Sequence, residues 1–321
     1  MCLRQSLQLN PIESSGIFIY TESTHRSRSM QKSGTPDVSR FHLVGKRIMA
    51  IVKNVFPKSV LFLLLLGACA GLPDLGIVDN LERAQIPAGE FLMGSEDGNP
   101  DERPVHKVYL DEYYIDVYEV TNGEYAECVS AGACTEPHEK SSQTRAKYYG
   151  QPEFMDYPVI YVDWAQARAF CQWRGGDLPT EAQWEKAARG GLEGKTYAWG
   201  DTFEGTEANF CDANCTIYAN ADKTYDDGFP DTSPVGSFRP NGYGLYDMAG
   251  NVEEIVSDYH STSYYSTSPY KNPTGPESGT TGIGRGGSWW TDPDGLRVSF
   301  RETGSPDSWY SDGGIRCAYA P

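Results

Sequence analysis

The chain has 321 residues and a formal net charge of −17, from 27 Lys+Arg against 44 Asp+Glu. An acidic balance of this size argues against nucleic acid and anionic headgroups as partners, because both need clustered cationic side chains. It leaves carboxylates available for hard cations, while 34 Gly, 20 Pro and few long periodic apolar stretches point to a loop-rich α+β domain and not a helical bundle.

Residues 1–48 are polar, mixed and aperiodic. They read as an extension or an over-long gene start ahead of Met49, and contribute nothing to the fold. Lys53 and Lys58 then precede the apolar run Leu61 to Leu66, which ends in Leu66-Gly67-Ala68-Cys69. Basic residues, a short apolar core and small residues predict an export signal over 49–68. The run is shorter than the roughly 20 apolar residues that span a bilayer. Cys69 directly after Leu-Gly-Ala looks like the acylated cysteine of a bacterial lipoprotein; a plain signal peptide with an incidental cysteine is the alternative. The expected location is the cell envelope, periplasmic or at the surface, with acyl chains as the sole membrane contact. Residues 69–85 read as a tether, and 86–321 as one domain long enough to bury a sizeable core.

Within that domain, Ile86 to Ser95 predicts a strand entered through a Pro-Gly turn, and Val105 to Tyr118 alternates like strand material. Thr121 with Glu124 opens a helix over 122–130. Residues 135–157 are polar and irregular and predict a surface loop. Asp163 caps a helix from Trp164 to Arg174, stopped by Gly175-Gly176, with Trp164, Ala167, Phe170 and Cys171 on its core face. Thr180 and Gln183 open a third helix that ends at Gly190-Gly191. Beyond Trp199 no helix is predicted. So long a loop needs support, and disulfides or bound cations are the candidates.

Besides Cys69, the domain holds Cys128, Cys134, Cys171, Cys211, Cys215 and Cys317. Export implies disulfides. Pairing Cys128 with Cys134 and Cys211 with Cys215 closes two short loops and leaves Cys171 with Cys317. Metal binding by Cys211 and Cys215 is the alternative, although a lone pair of thiols is a weak zinc signal.

Four motifs occur in order: Pro87-Ala88-Gly89-Glu90-Phe91, Leu178-Pro179-Thr180-Glu181, Gly244-Leu245-Tyr246-Asp247-Met248 and Arg285-Gly286-Gly287-Ser288. Together with Gly314-Ile315-Arg316-Cys317 they resemble the formylglycine-generating, sulfatase-modifying-factor family over roughly residues 84–320. The resemblance implies the loop-rich variant of the C-type lectin fold, with little regular secondary structure, and a Cys171–Cys317 bridge. It also implies two calcium sites. One takes the side chains of Asn209 and Asp227 and the carbonyls of Phe210 and Phe229. The other takes the side chains of Asp247 and Glu254 and the carbonyls of Gly250 and Val252. Spacing alone makes either site a weak signal, since Asp-Gly and Asn-Gly turns are common without metal. The family usually carries Trp where this chain has Glu253 and Ile255.

The family's oxidation of a substrate cysteine uses a cysteine pair that binds copper(I). The matching positions here are Thr291 and Leu296, and residues 289–301 contain no cysteine. Hydroxyl and alkyl groups do not replace thiolates for copper(I), so neither copper nor formylglycine generation is expected. The expected function is a non-catalytic binding or scaffold module for a protein, peptide or carbohydrate ligand in the envelope. Its candidate surface comprises Ser288, Trp289, Trp290, Thr291, Trp309 and Tyr310, with at least one of Trp289 and Trp290 in the core. The alternative is a metal-dependent oxidoreductase or another enzyme of altered chemistry on the same frame. His106 and His260 give it little support, as no His pair has ligand spacing.

Overall fold

The computed structural model describes residues 82–215 and 221–321. The chain divides into two units, Met1–Ile77 and Val78–Pro321, and every described residue lies in the second. The extension, the export signal, Cys69 and most of the tether fall outside the described residues.

The first strand, β1 (Arg83–Ile86), begins inside the segment assigned to the tether. Its Ala84 and Ile86 point inward while Arg83 and Gln85 point out, so the apolar pair draws these residues onto the domain. β1 pairs antiparallel with β4 (Tyr113–Asp116), which also pairs with the last strand, β9 (Ala318–Tyr319). The two ends of the domain therefore meet on one strand. β2 (Gly89–Met93) and β3 (His106–Leu110) form a separate antiparallel pair. The third sheet has the order β7-β6-β5-β8, from Glu302–Gly304, Gly282–Arg285, Glu253–Tyr259 and Gly313–Gly314.

Helices α1 (Asn122–Ser130), α2 (Trp164–Trp173) and α3 (Glu181–Ala188) lie where the sequence places them. Each opens with a reciprocal cap: Thr121 with Glu124, Asp163 with Gln166, and Thr180 with Gln183. A side-chain cap of this kind is worth about 1 kcal/mol. Ala182, Trp184, Ala187 and Ala188 of α3 pack with Ile86, Val108, Ile115, Leu245 and Val256 in the larger core cluster. Ala167, Phe170 and Cys171 of α2 pack with Tyr125, Leu178, Ile315 and Cys317 in the second. Trp164 is only half-buried.

Two expectations change. Residues 135–157 are more than a surface loop: Tyr148 is fully buried and donates to the Pro158 carbonyl, and Arg145 pairs with buried Asp231. The region after Trp199 also contains a four-stranded sheet that its residue pattern does not announce. Three disulfides join Cys128–Cys134, Cys171–Cys317 and Cys211–Cys215.

Candidate functional site

Three of the ordered motifs meet in a buried frame of ion pairs, through Glu181, Arg285 and Arg316. Arg285 is fully buried beside β5 and donates to Glu185 Oε2 at 2.7 Å and to the carbonyls of Val298, Ser299 and Phe300. Glu185 also receives Arg189 at 2.7 Å and the Gly94 amide at 2.8 Å. Burial works against the Glu185 charge, but Arg189 and Arg285 outweigh it and hold the carboxyl below its usual range. Glu181 grips Arg301 through both oxygens, at 2.7 and 2.9 Å. Arg316 does the same for Glu254, whose other contact is the Trp184 indole N–H at 2.6 Å. These motif residues hold the backbone of the irregular half in register.

The two expected calcium loops lie against each other. The Asn251 amide donates to the Asn209 carbonyl at 2.8 Å, and a Cβ at Gly250 would stand 2.1 Å from that same oxygen. In the first loop, Asn209 is buried and its Oδ1 has no hydrogen-bond partner. Asp227 accepts from the Phe229 and Phe210 amides. Burial, with Asp212 and Asp226 adding to it, pushes the Asp227 carboxyl up to about 7. An orphaned amide oxygen beside a carboxyl that resists ionisation is a donor set that an oxygen-seeking cation would satisfy. In the second loop, Asp247 Oδ1 is likewise buried without a partner, and burial lifts that carboxyl to about 6. Glu254, by contrast, has both oxygens engaged by Arg316 and Trp184. Glu119 lies close by, accepting from Asn251 and Val252, and burial, Asp247 and Glu254 raise its carboxyl well above the usual range. Glu119 went unread because it lies far up the chain from these loops, in no motif. Among the described residues no three His, Cys, Asp or Glu side chains form a metal shell. Carbonyls would have to complete either site.

The expected binding surface divides. Ser288 and Trp289 are buried, so they support the surface instead of forming it. The Ser288 hydroxyl donates to Asp312 at 2.8 Å and accepts from the Trp290 amide, and the Trp289 indole donates to the Ser311 carbonyl. Trp290, Trp309 and Tyr310 are exposed. Trp309 stacks on His138 at 4.0 Å between ring centres. Thr291 is half-buried, its hydroxyl accepting from the Ser288 amide, while Leu296 is fully buried in an aromatic cluster with Phe210 and Tyr197. Trp290, Thr291 and Tyr310 line a cleft of about 260 Å³ together with Glu253, Glu302 and Asp312. Sequence reasoning saw in Glu253 only a lost tryptophan. Burial, then Asp312 and Glu302, push its carboxyl well above the usual range. His260 is half-buried against Asp101 at 2.9 Å and has no second histidine beside it among the ring contacts and hydrogen bonds of the described residues.

The model of the sulfatase-modifying factor enzyme 1-like domain matches residues 78–321. The chain belongs to this family. The formylglycine-generating enzyme of Streptomyces coelicolor is 36% identical over 278 residues, covering 74% of this chain and 88% of that protein. The protein described as inactive C-alpha-formylglycine-generating enzyme 2 of Bos taurus is 32% identical over 297 residues, covering 76% and 90%. The solved structure of PvdO from Pseudomonas aeruginosa aligns with a TM-score of 0.61 at 28% identity, over 74% of this chain and 94% of that one. The sulfatase-modifying-factor fold explains why so little regular structure suffices. Arginine–carboxylate pairs, disulfides and asparagine-anchored turns take over the work of ladders, as where Asn241 Nδ2 donates to the last carbonyls of α3.

Proposed function

We propose that this sulfatase-modifying-factor domain is a non-catalytic binding module, exported and held at the cell envelope by lipid on Cys69. One observation carries the reading. The positions that match the family's copper-binding cysteines are Thr291, whose hydroxyl is bonded within its own loop, and Leu296, whose side chain is packed among aromatic rings. The six cysteines of the described domain are paired in disulfides. Neither hydroxyl nor alkyl supplies the soft ligand that copper(I) requires. The bovine relative described as inactive offers a precedent for the frame without the activity. The exposed aromatic side chains around the cleft suit contact with a peptide or carbohydrate.

Oxygen uptake by the purified protein with copper(I) and a cysteine-containing peptide tests this. No uptake above free copper is expected, and conversion of the peptide cysteine to an aldehyde would overturn the reading. Repeating the assay with other divalent metals tests the alternative of altered catalysis.

Calcium belongs to the same proposal as a structural element. Asn209 and Asp227 would hold one ion, with the Phe210 and Phe229 carbonyls; Asp247 would anchor the second, with the Gly250 and Val252 carbonyls, while Glu254 stays engaged by Arg316 and Trp184. Bound calcium would neutralise buried charge and fix both loops. The melting temperature should rise with calcium and fall with EDTA; a transition indifferent to both removes calcium from the proposal.

A further inference from the structure

We propose that the cleft walled by Trp290 and Tyr310 and floored by Glu253 and Asp312 receives an organic cation, an ammonium or guanidinium group on an apolar stem. This rests on the binding reading above and gives its ligand a chemical class.

The cleft carries three carboxylates, Glu253, Glu302 and Asp312, and no Lys, Arg or His among its described lining residues. Neither Glu253 nor Glu302 makes a side-chain hydrogen bond or ion pair among the described residues. Elsewhere four buried glutamates each face an arginine, Glu102 with Arg297, Glu181 with Arg301, Glu185 with Arg285 and Glu254 with Arg316, and a fifth, Glu119, accepts from the Asn251 side chain and the Val252 amide. The half-buried Glu253 differs from all five in having no donor among the described residues, and a cation entering the cleft would supply one.

The seat of Glu253 is built into the sheet. A Cβ on Gly284 of β6 would stand 1.3 Å from Glu253 Oε1, so the strand leaves out a side chain where that carboxylate lies. Asp312 is fixed by the Ser288 hydroxyl at 2.8 Å. Trp290 is held by stacking on buried Trp289, with centres 5.9 Å apart, yet is 40% exposed. Phe300 and Tyr310 add further ring surface at the cleft. Aromatic faces attract ammonium and guanidinium groups and cover their stems.

A metal ion is the poorer occupant. The three carboxylates are spread around about 260 Å³ of space and do not converge as one coordination shell. That volume admits several waters, at roughly 30 Å³ each, or a cationic head with part of its stem.

The test titrates the full protein, with calcium present, against N-acetyl-lysine amide, N-acetyl-arginine amide and 1,4-diaminobutane, following tryptophan fluorescence. N-acetyl-norleucine amide is the neutral control. Saturable binding of the cations and none of the norleucine amide is expected. Glu253→Gln and Asp312→Asn should each weaken binding by roughly tenfold, the scale of one charge-assisted hydrogen bond. Tighter binding of the amino-acid amides points to a peptide side chain as source, and tighter binding of the diamine to a free amine. Equal binding of norleucine amide, no saturable binding of any cation, or unchanged affinity in both folded variants overturns the proposal. Absence of cation binding together with absence of oxygen uptake removes the ligand class and leaves the binding module standing; aldehyde formation removes the module itself.

Discussion

Glu185 and Asp258 are both buried acids, and their surroundings give them opposite effects on stability. Glu185 lies between Arg189 and Arg285 and accepts the Gly94 amide. Removing it takes the close counter-charge from two buried guanidinium groups, leaving them mainly carbonyl partners, so Glu185→Ala should cost about 3–5 kcal/mol. Lys107→Ala, which breaks an exposed pair with Glu90, should cost less than about 1 kcal/mol. Urea unfolding of the two variants checks the contrast. Asp258 accepts from the Glu181 amide and is pushed up to about 7, chiefly by burial and then by the Glu181 charge. Its ordinary value is 3.8. Between these values the unfolded chain has released the proton and the folded chain keeps it. The Asp258 contribution therefore falls as pH rises through that window and levels off above it. Asp258→Asn removes this titration and keeps an acceptor for the amide. Its stability relative to the parent should thus improve from pH 4 to pH 7.5, as measured by unfolding at each pH. A constant difference would show that Asp258 ionises normally in the fold.

At the scale of elements, the helices were legible and the third sheet was not, for a physical reason. Each helix announces itself by a cap and a polar partner three residues on, all within one turn of chain. β5 buries every second residue, but its inward set is Glu254, Val256 and Asp258. Two of those three are carboxylates, matched by Arg316 and by the Glu181 amide from other parts of the chain. A strand whose inward face is charged shows no apolar alternation. The same distance hid Glu119 and the part that Glu253 and Glu302 play in the cleft, since their neighbours are set by the fold. Loop contacts can still be tested directly. Gly250 has φ +80° and no room for a side chain against the Asn209 carbonyl. Gly250→Ala should lose more than about 2 kcal/mol from left-handed strain and overlap together. It should also separate the two candidate calcium loops, shrinking any rise in melting temperature on adding calcium. A variant that keeps parental stability and calcium response would show that the loops are not coupled there.

For the molecule as a whole, the sequence separation of the bridges decides which matters most. Cys128–Cys134 and Cys211–Cys215 span 6 and 4 residues, whereas Cys171–Cys317 spans 146. In the chain-entropy account a bridge limits the unfolded ensemble, and the benefit grows with the logarithm of the loop. The long bridge is therefore worth on the order of 5 kcal/mol, and each short one about half of that. Position adds to the difference. Cys317 lies between Arg316, which closes on Glu254, and β9, which pairs with β4. The long bridge thus pins α2 to the segment that brings the end of the domain back to its beginning. Replacing both Cys171 and Cys317 by serine should lower the urea midpoint far more than the same change at Cys211 and Cys215. Limited proteolysis of the double variant should then release the segment after Gly313 first, since β8 and β9 have only two residues each to hold them. Equal losses from the two double variants would mean that the ion-pair frame closes the chain ends without help from the disulfide.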